Sequence, residues 1–277
     1  RSQFLPMLAV INSTLSHASH LRPLFHLLLE KGDDANQMNQ QINCLLSDEW
    51  RQRVRIVPFA RDDTTLFRFD IAQSDKSSSA RNLSSIGNFV RFYLPQLLPH
   101  VDKVVWLDTD VVVLNDICRL YDNTLVDNTK QFAAVVKYRP YVGSKQKLDV
   151  SASSALLEKI PTIHQQCSSQ PCFHFNAGVF VARLDLWRKR QTTQKLEDWI
   201  NFLAKHRNIA EGLTQPPLIL HFWENCEAID VRWNVAHAVK IGRRMNDRKT
   251  KKTNHTILDD AFLLHFNGNF KVIFIFY

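Results

Sequence analysis

The sequence predicts an α/β fold in which helices cover both faces of a mostly parallel central sheet. Short apolar runs typical of buried strands alternate along the 277 residues with segments of helical periodicity. The clearest strand covers residues 104–107, which are continuously hydrophobic, as strands covered on both faces are. No internal repeat and no domain boundary is visible, so we expect one domain over residues 1–277.

The N-terminal half is predicted to contain two strands and two helices before the strand at 104–107. An amphipathic helix is expected at 5–15, strands at 24–29 and 54–58, and a polar loop at 74–85. Residues 86–98 have apolar side chains on one helical face, and Pro95 should kink or end that helix.

The C-terminal half continues the alternation. Strands are expected at 132–136, 175–184 and 263–266, and a helix at 186–203 with Asp185 as its N-cap. Residues 242–252 carry six basic side chains, which are expected in a solvated loop or against an anionic glycan or membrane surface. Since no aromatic interleaving accompanies the basic residues, nucleic acid is not an expected partner.

The composition excludes several classes of protein. Lys and Arg outnumber Asp and Glu by 35 to 27, a net charge of +8 that suits an anionic ligand. No GxGxxG or Walker loop occurs, which argues against dinucleotide and P-loop enzymes. The five cysteines lack the C-x-x-C spacing of a zinc module. No apolar run approaches the roughly 18 residues of a membrane span.

Two carboxylates, Asp108 and Asp110, follow the strand at 104–107. An interior strand cannot keep ionised carboxylates in its middle, so they must lie at its carboxyl end, where open α/β sheets bind ligands. Side chains two residues apart in an extended chain point the same way. The pair therefore forms half of a divalent-cation site, although an acidic strand-to-loop transition is the plain alternative.

A second polar segment, HFNGNFK, contains His265, Gly268 and Lys271. The imidazole can add a nitrogen ligand to an ion held by two carboxylates, and such mixed coordination suits Mn²⁺ or Mg²⁺ more than zinc. Gly268 allows the backbone to approach a ligand, and Lys271 places a positive charge on a phosphate. Taken alone, His265 is better explained as a buried structural histidine.

Several motifs occur in a specific order: RFYLP from Arg91, DTD from Asp108, FNAGVFVARL from Phe175, TQPPLILHF from Thr214, RWNVAHAV from Arg232, and HFNGNFK from His265. Together they resemble glycosyltransferase family 8, retaining enzymes with the Rossmann-like GT-A fold. The similarity is greatest to the animal branch of glycosyltransferase 8 domain-containing proteins. It runs from about residue 8 to residue 271, nearly the whole chain.

The resemblance implies a transferase that moves a hexose or related sugar from a UDP-sugar to an acceptor hydroxyl. Its metal ligands would be Asp108, Asp110 and His265, binding Mn²⁺ or Mg²⁺ that bridges the donor diphosphate. The groups expected to bind the donor are Arg91, Asn176, Ala177, Gly178, Gly268 and Lys271. The catalytic side chains expected from the resemblance are Asp108, Asp110, Lys271 and Gln215.

Three features depart from the family pattern. The chain begins after the position of the usual first strand, so we expect that strand to be missing. A lysine-proline-tryptophan is replaced by Lys271-Val272-Ile273, and an Asp-Gln pair by Thr214-Gln215, which leaves the role of Gln215 open. We therefore expect a family domain truncated at both ends.

Two other functions compete with the transferase. A haloacid-dehalogenase-type phosphatase also places Asp-x-Asp after an apolar strand, and Asp259-Asp260 could supply its later acidic motif. If the first strand is absent, the chain could instead be an inactive, glycosyltransferase-like binding protein.

The remaining expectations concern partners and location. The resemblance implies a glycan, glycoprotein or glycolipid acceptor and a place in the Golgi lumen, with membrane attachment only through an anchor not present in this chain. Sequons at Asn12, Asn82 and Asn254 agree weakly with a secretory location.

Overall fold

Helices and strands alternate in the computed structural model, which describes residues 4–20, 23–30, 35–60, 86–139, 154–163, 172–206, 209–210, 214–223, 225–236, 258–266 and 273–276. The strands are β1 Phe25–Glu30, β2 Val54–Phe59, β3 Lys103–Asp108, β4 Val111–Val113, β5 Phe132–Arg139, β6 Cys172–Arg183, β7 Cys226–Ala228, β8 Val235–Ala236, β9 Leu263–His265 and β10 Ile273–Phe276. The α-helices are α1 Phe4–Ser16, α2 Ala35–Leu45, α3 Asp48–Arg51, α4 Ile86–Phe89, α5 Leu94–Leu97, α6 Ile117–Asp122, α7 Ser154–Lys159, α8 Leu184–Lys189, α9 Thr192–Lys205 and α10 Gln215–His221. Within these ranges, 3₁₀ helices cover Val90–Tyr93 and Val231–Asn234.

The described strands form two sheets. The larger has seven strands in the order β2-β1-β10-β3-β6-β5-β7, and the smaller has three in the order β4-β9-β8. In the larger sheet five strands share one direction, whereas β10 and β6 run oppositely and pair antiparallel with their neighbours. The predicted α/β fold is thus confirmed, but four of the six strand pairings in this sheet are antiparallel, which the alternation of helix and strand does not predict.

Both faces of β3 are buried, as its continuous hydrophobic sequence predicts. Trp106 faces a core that includes Phe132, Phe180 and Phe222, and it stacks on Phe180 with ring centroids 5.3 Å apart. Leu107 faces the opposite core, which includes Met7 of α1. Helices therefore cover β3 on both sides, which fixes the position of its carboxyl end.

Two predicted helices are interrupted. The segment at 86–98 changes to a 3₁₀ helix over Val90–Tyr93, and Pro95 lies in the first turn of α5 rather than ending the helix. The segment at 186–203 divides at Gln191, whose φ of 54° is left-handed. Asp185 lies inside the first turn of α8 and bonds to Arg183, so it is not an N-cap.

Some predictions fall outside the described residues, namely the loop at 74–85 and the basic segment at 242–252. The absence of the usual first strand also remains a prediction. In the larger sheet, β10 lies between β1 and β3. Within the described ranges, no helix combines the length and apolar character that crossing a bilayer requires.

Candidate functional site

Asp108 ends β3 with its side chain completely buried. Trp106, two residues earlier on the same side of the strand, donates its indole N–H to Asp108 Oδ1 at 3.0 Å. The guanidinium of Arg91 lies 3.6 Å from the same oxygen. A buried cation and a buried donor thus orient the first carboxylate of the predicted pair.

Arg91 is held behind Asp108 by its own hydrogen bonds. Its guanidinium donates to the carbonyl oxygens of Asn88 at 2.9 Å and Ala177 at 2.6 Å. It also lies 4.8 Å from the centre of the Trp106 ring. Burial lowers the pKa of Arg91, and the negative charges of Asp108 and Asp110 oppose that shift. Arg91 therefore contacts the backbone of Ala177, one of the predicted donor-binding residues, in β6.

His265 reaches the carboxylates through the smaller sheet. It ends β9, which pairs with β4 so that His265 lies opposite Val111. The N–H of Phe266 also donates to the carbonyl of Asp110 at 2.8 Å. This pairing places His265 Nε2 3.2 Å from Asp110 Oδ1. One ligand atom each from Asp108, Asp110 and His265 lies within 4.8 Å of the others.

Gly178 permits this close approach. A Cβ at Gly178 would lie 2.2 Å from Cε1 and 2.9 Å from Nε2 of His265, which is far inside van der Waals contact. Its N–H donates to Asn176 Oδ1 at 2.8 Å, which fixes the backbone of β6 from Asn176 to Gly178. Glycine is required here for space against the imidazole.

Gln215 contacts the same segment of β6, from Asn176 to Gly178. Gln215 is the first residue of α10, and its side-chain oxygen accepts a hydrogen bond from the N–H of Ala177 at 3.0 Å. The structure therefore brings Arg91 against Asp108 and Gly178 against His265, and Gln215 joins this cluster through Ala177. Gly268 and Lys271 lie outside the described residues.

Sequence reasoning missed Asn234. Its side-chain oxygen lies 2.9 Å from His265 Nδ1, and its amide nitrogen donates to the carbonyl of Asn176 at 3.3 Å. The RWNV motif is part of the family resemblance, but no chemical pattern in the sequence links Asn234 to a histidine 31 positions later. Only the parallel pairing of β8 with β9 brings them together.

The ligand atoms of Asp108, Asp110 and His265 fit a divalent cation. Within the described residues, His265 Nε2 is buried and has no hydrogen-bond partner. It faces a carboxylate oxygen at 3.2 Å, an arrangement that a cation between the two atoms would stabilise. Two carboxylates and an imidazole suit Mn²⁺, and also accept Mg²⁺ or zinc.

Comparison with known proteins identifies the family. The model of "Glycosyl transferase family 8" matches residues 3–272 of the chain. The chain belongs to glycosyl transferase family 8. The motif resemblance is thus confirmed, and it displaces the phosphatase hypothesis, whose Asp259 and Asp260 are exposed side chains.

Relatives in this family come from animals and plants. Glycosyltransferase 8 domain-containing protein 1 from Bos taurus is 30% identical over 278 residues, which cover 95% of this chain and 68% of that protein. The Mus musculus protein of the same name is 32% identical, with 79% and 57% covered. "Probable galacturonosyltransferase-like 9" from Arabidopsis thaliana is 31% identical over 230 residues, with 82% and 54% covered. The chain thus spans between about half and two thirds of these relatives.

Solved structures of glycosyltransferases share the fold. The galactosyltransferase LgtC, in complex with donor and acceptor sugar analogs, matches with a TM-score of 0.62 and 19% identity, covering 96% of this chain and 84% of LgtC. Mouse xyloside xylosyltransferase 1 matches with a TM-score of 0.60 and 15% identity, covering 97% and 93%. The predicted GT-A fold is confirmed by these neighbours.

Proposed function

We propose that this family 8 chain is a retaining glycosyltransferase that moves a hexose or related sugar from a UDP-sugar to an acceptor hydroxyl, with Mn²⁺ bound. The observation that supports this most is the convergence of Asp108, Asp110 and His265 at the carboxyl end of β3. Ligands bind at this end of the strands in open α/β sheets.

The three ligand residues would hold the ion through two carboxylates and one imidazole nitrogen. When bound, the divalent ion would stabilise the negative charge of the departing diphosphate as a Lewis acid. Asp108 is already oriented for this role by Trp106 and Arg91. A preformed ligand does not have to be ordered when the donor binds, which favours tight binding.

The segment of β6 from Asn176 to Gly178 and the side chain of Gln215 are proposed to bind the donor sugar. Gln215 is hydrogen-bonded to this segment through the N–H of Ala177, so the segment and the Gln215 side chain would contact the sugar as one surface. Gly268 and Lys271 are proposed for the diphosphate, where a lysine would add positive charge as the leaving group forms.

For retention of configuration, we propose that the acceptor hydroxyl attacks C1 of the donor sugar from the same face from which the leaving group departs. In this step the acceptor oxygen bonds to C1 as the bond from C1 to the diphosphate oxygen breaks, and the hydroxyl proton passes to that diphosphate oxygen. The carboxylates of the described site, Asp108 and Asp110, are assigned to the metal. The side chain of Gln215 lies beside Ala177 of β6, and an amide is too weak a nucleophile to form a covalent intermediate.

The sugar and the acceptor are left open by the relatives, whose names cover galactosyl, xylosyl and galacturonosyl transfer. We propose a glycan, glycoprotein or glycolipid acceptor, and action in the Golgi lumen of a longer membrane-anchored protein. An exposed Asn12 sequon in α1 is compatible with that compartment.

The function is tested by turnover of a UDP-sugar panel. The chain is incubated with UDP-glucose, UDP-galactose, UDP-xylose or UDP-glucuronic acid, with Mn²⁺ or a chelator, and UDP release is measured. We expect metal-dependent release with one donor, α-linked product by NMR, and at least a hundredfold loss in Asp110→Asn. Asp198→Asn, an exposed change in α9, is the control.

Release that persists unchanged with chelator and in Asp110→Asn would contradict the metal-dependent mechanism. Metal-dependent UDP binding without turnover of any donor would instead support the inactive, sugar-nucleotide-binding alternative.

A further inference from the structure

We infer that Asn234 is a positioning residue that sets the tautomer and orientation of His265 for metal binding. The inference rests on the metal site of the proposed function. It begins from the hydrogen bond between His265 Nδ1 and Asn234 Oδ1 at 2.9 Å, which joins two side chains that are each only 1% exposed.

The orientation of the Asn234 amide is fixed by a second partner. Its other side-chain atom lies 3.3 Å from the carbonyl oxygen of Asn176, which can only accept a hydrogen bond. That atom must therefore be the NH₂ group, and the atom that faces His265 must be the oxygen. Since this oxygen only accepts, His265 Nδ1 must carry the proton in this contact.

A proton on Nδ1 of a neutral imidazole leaves the lone pair on Nε2. Nε2 is the nitrogen that lies 3.2 Å from Asp110 Oδ1, among the ligand atoms of the site. Asn234 therefore selects the tautomer in which the metal-facing nitrogen is free to coordinate. Partners of this kind on metal-binding histidines fix the ring and raise its basicity.

The backbone around Asn234 is built to keep this contact. Asn234 ends the 3₁₀ helix Val231–Asn234, which Asp230 caps through the N–H of Arg232 at 2.9 Å. The next residues form β8, where Ala236 pairs with His265 in parallel register. The side chain that orients the imidazole thus directly precedes β8, the strand that pairs with the one His265 ends.

The same amide joins the metal site to the proposed donor site. Asn234 accepts from His265 and donates to Asn176, whose own side chain accepts from the N–H of Gly178. Replacing Asn234 with Ala would release both the imidazole and the carbonyl of Asn176. Replacing it with Asp would keep the acceptor for His265 and remove the donor to Asn176.

The first test measures Mn²⁺ affinity by electron paramagnetic resonance of the whole chain at saturating UDP. We expect Asn234→Ala to weaken Mn²⁺ binding about 10- to 100-fold, and Asn234→Asp to stay within a few fold of the parent chain. In a His265→Ala background, Asn234→Ala should cause no further loss. Asn201→Ala, an exposed change in α9, is the matched control.

The outcomes separate this inference from the proposed function. A parent chain that binds no Mn²⁺ overturns the proposed function, and this inference with it. If Asn234→Ala binds Mn²⁺ as tightly as the parent chain does, while Asp110→Ala loses binding, only the role of Asn234 is overturned. Equal losses from Asn234→Ala with and without His265 would also overturn it.

The second test needs no variant at position 234. Long-range ¹H–¹⁵N spectra of the metal-free parent chain report which imidazole nitrogen carries the proton, and His265→Gln assigns the signal. We expect the proton of His265 on Nδ1. A proton on Nε2 in the neutral ring would overturn the inference even if Asn234→Ala failed to fold.

Discussion

Gly178 controls how closely β6 can approach the imidazole of His265. The space for a side chain at this position is already filled by Cε1 and Nε2 of His265 and by Oδ1 of Asn176. Sequence reasoning placed Gly178 at the donor sugar, whereas the geometry gives it a second role against a metal ligand. This packing requirement does not depend on the identity of the donor.

We expect Gly178→Ala to destabilise the chain by about 1 to 3 kcal/mol, because the new methyl group must displace a packed ring. It should also weaken Mn²⁺ binding at least tenfold. Urea unfolding and Mn²⁺ titration measure the two effects. In a His265→Ala background, Gly178→Ala should cost much less stability. An unchanged cost would show that the new methyl group does not clash with the His265 ring.

Arg91 is a second residue whose contacts in the structure go beyond the role that its sequence motif predicted. Its motif predicted a place at the donor sugar, and the structure places its guanidinium against Asp108 and the carbonyl of Ala177. Burial opposes its charge, and the neighbouring carboxylates favour it. Removing the guanidinium would leave the buried carboxylate of Asp108 without this cation.

We therefore expect Arg91→Met to lower the free energy of unfolding by about 3 to 5 kcal/mol in urea titrations. Arg119→Met, an exposed change in α6, should cost less than about 0.5 kcal/mol. Adding Asp108→Asn to Arg91→Met should recover part of the loss, because the carboxylate charge is then gone. A loss from Arg91→Met no larger than that of the control would contradict this account of the pair.

At the scale of elements, the break between α8 and α9 shows what hydrophobic periodicity cannot predict. Apolar spacing favours one helix over 186–203, since Trp187 and Leu196 both face the core. The chain instead turns at Gln191 with φ at 54°, in a region that glycine and asparagine favour. Nothing in the letters Arg190-Gln191 indicates that turn, because tertiary packing imposes it.

Because Gln191 is exposed, a glycine there should relieve the backbone cost without losing contacts. We expect Gln191→Gly to stabilise the chain by about 0.5 to 1 kcal/mol in urea unfolding. Gln194→Gly, an exposed position inside α9, should instead destabilise it by about 1 kcal/mol. Destabilisation by both variants would contradict the left-handed turn.

The element boundaries that sequence predicted well are those with strong local signals. Buried apolar runs identified β1, β2, β3, β5, β6 and β9 within a few residues, and alternation with helices predicted the α/β class. The short strands β4, β7 and β8 have two or three residues each, which is too few for a periodic signal. Their positions depend on pairing with distant strands.

At the scale of the whole molecule, the site lies where the two sheets meet. Asp108 ends β3 in the larger sheet and Asp110 precedes β4 in the smaller one, while Gly178 and His265 come from β6 and β9. The sequence identified these residues through separate motifs in a family order. It could not identify Asn234, because the contact of this residue with His265 exists only after the smaller sheet has formed.

Two histidines with lowered pKa values, the buried His26 and the half-buried His221, predict how the stability of the molecule depends on pH. Burial lowers the pKa of His26 to about 4, helped by Arg55 on the neighbouring strand, and burial with Lys195 lowers that of His221 to about 4. Between pH 6.5, their usual pKa, and pH 4 the unfolded chain binds more protons than the folded one. Stability should therefore fall as the pH falls through this window.

We expect each histidine to contribute about 1 to 3 kcal/mol to that fall, measured by urea unfolding across the window. The double variant His26→Leu, His221→Asn should have a flatter profile between pH 6.5 and pH 4, whereas exposed His100→Gln should keep the parent slope. A double variant with the parent slope would assign the pH dependence to other groups.

The most direct measurement of the central claim is calorimetric titration of UDP into the chain, with and without Mn²⁺, for the parent and Asp110→Ala. We predict binding by the parent only when Mn²⁺ is present, and its loss in Asp110→Ala. UDP binding of equal strength with and without Mn²⁺, or in Asp110→Ala as in the parent, would contradict the assignment of Asp108, Asp110 and His265 to the metal.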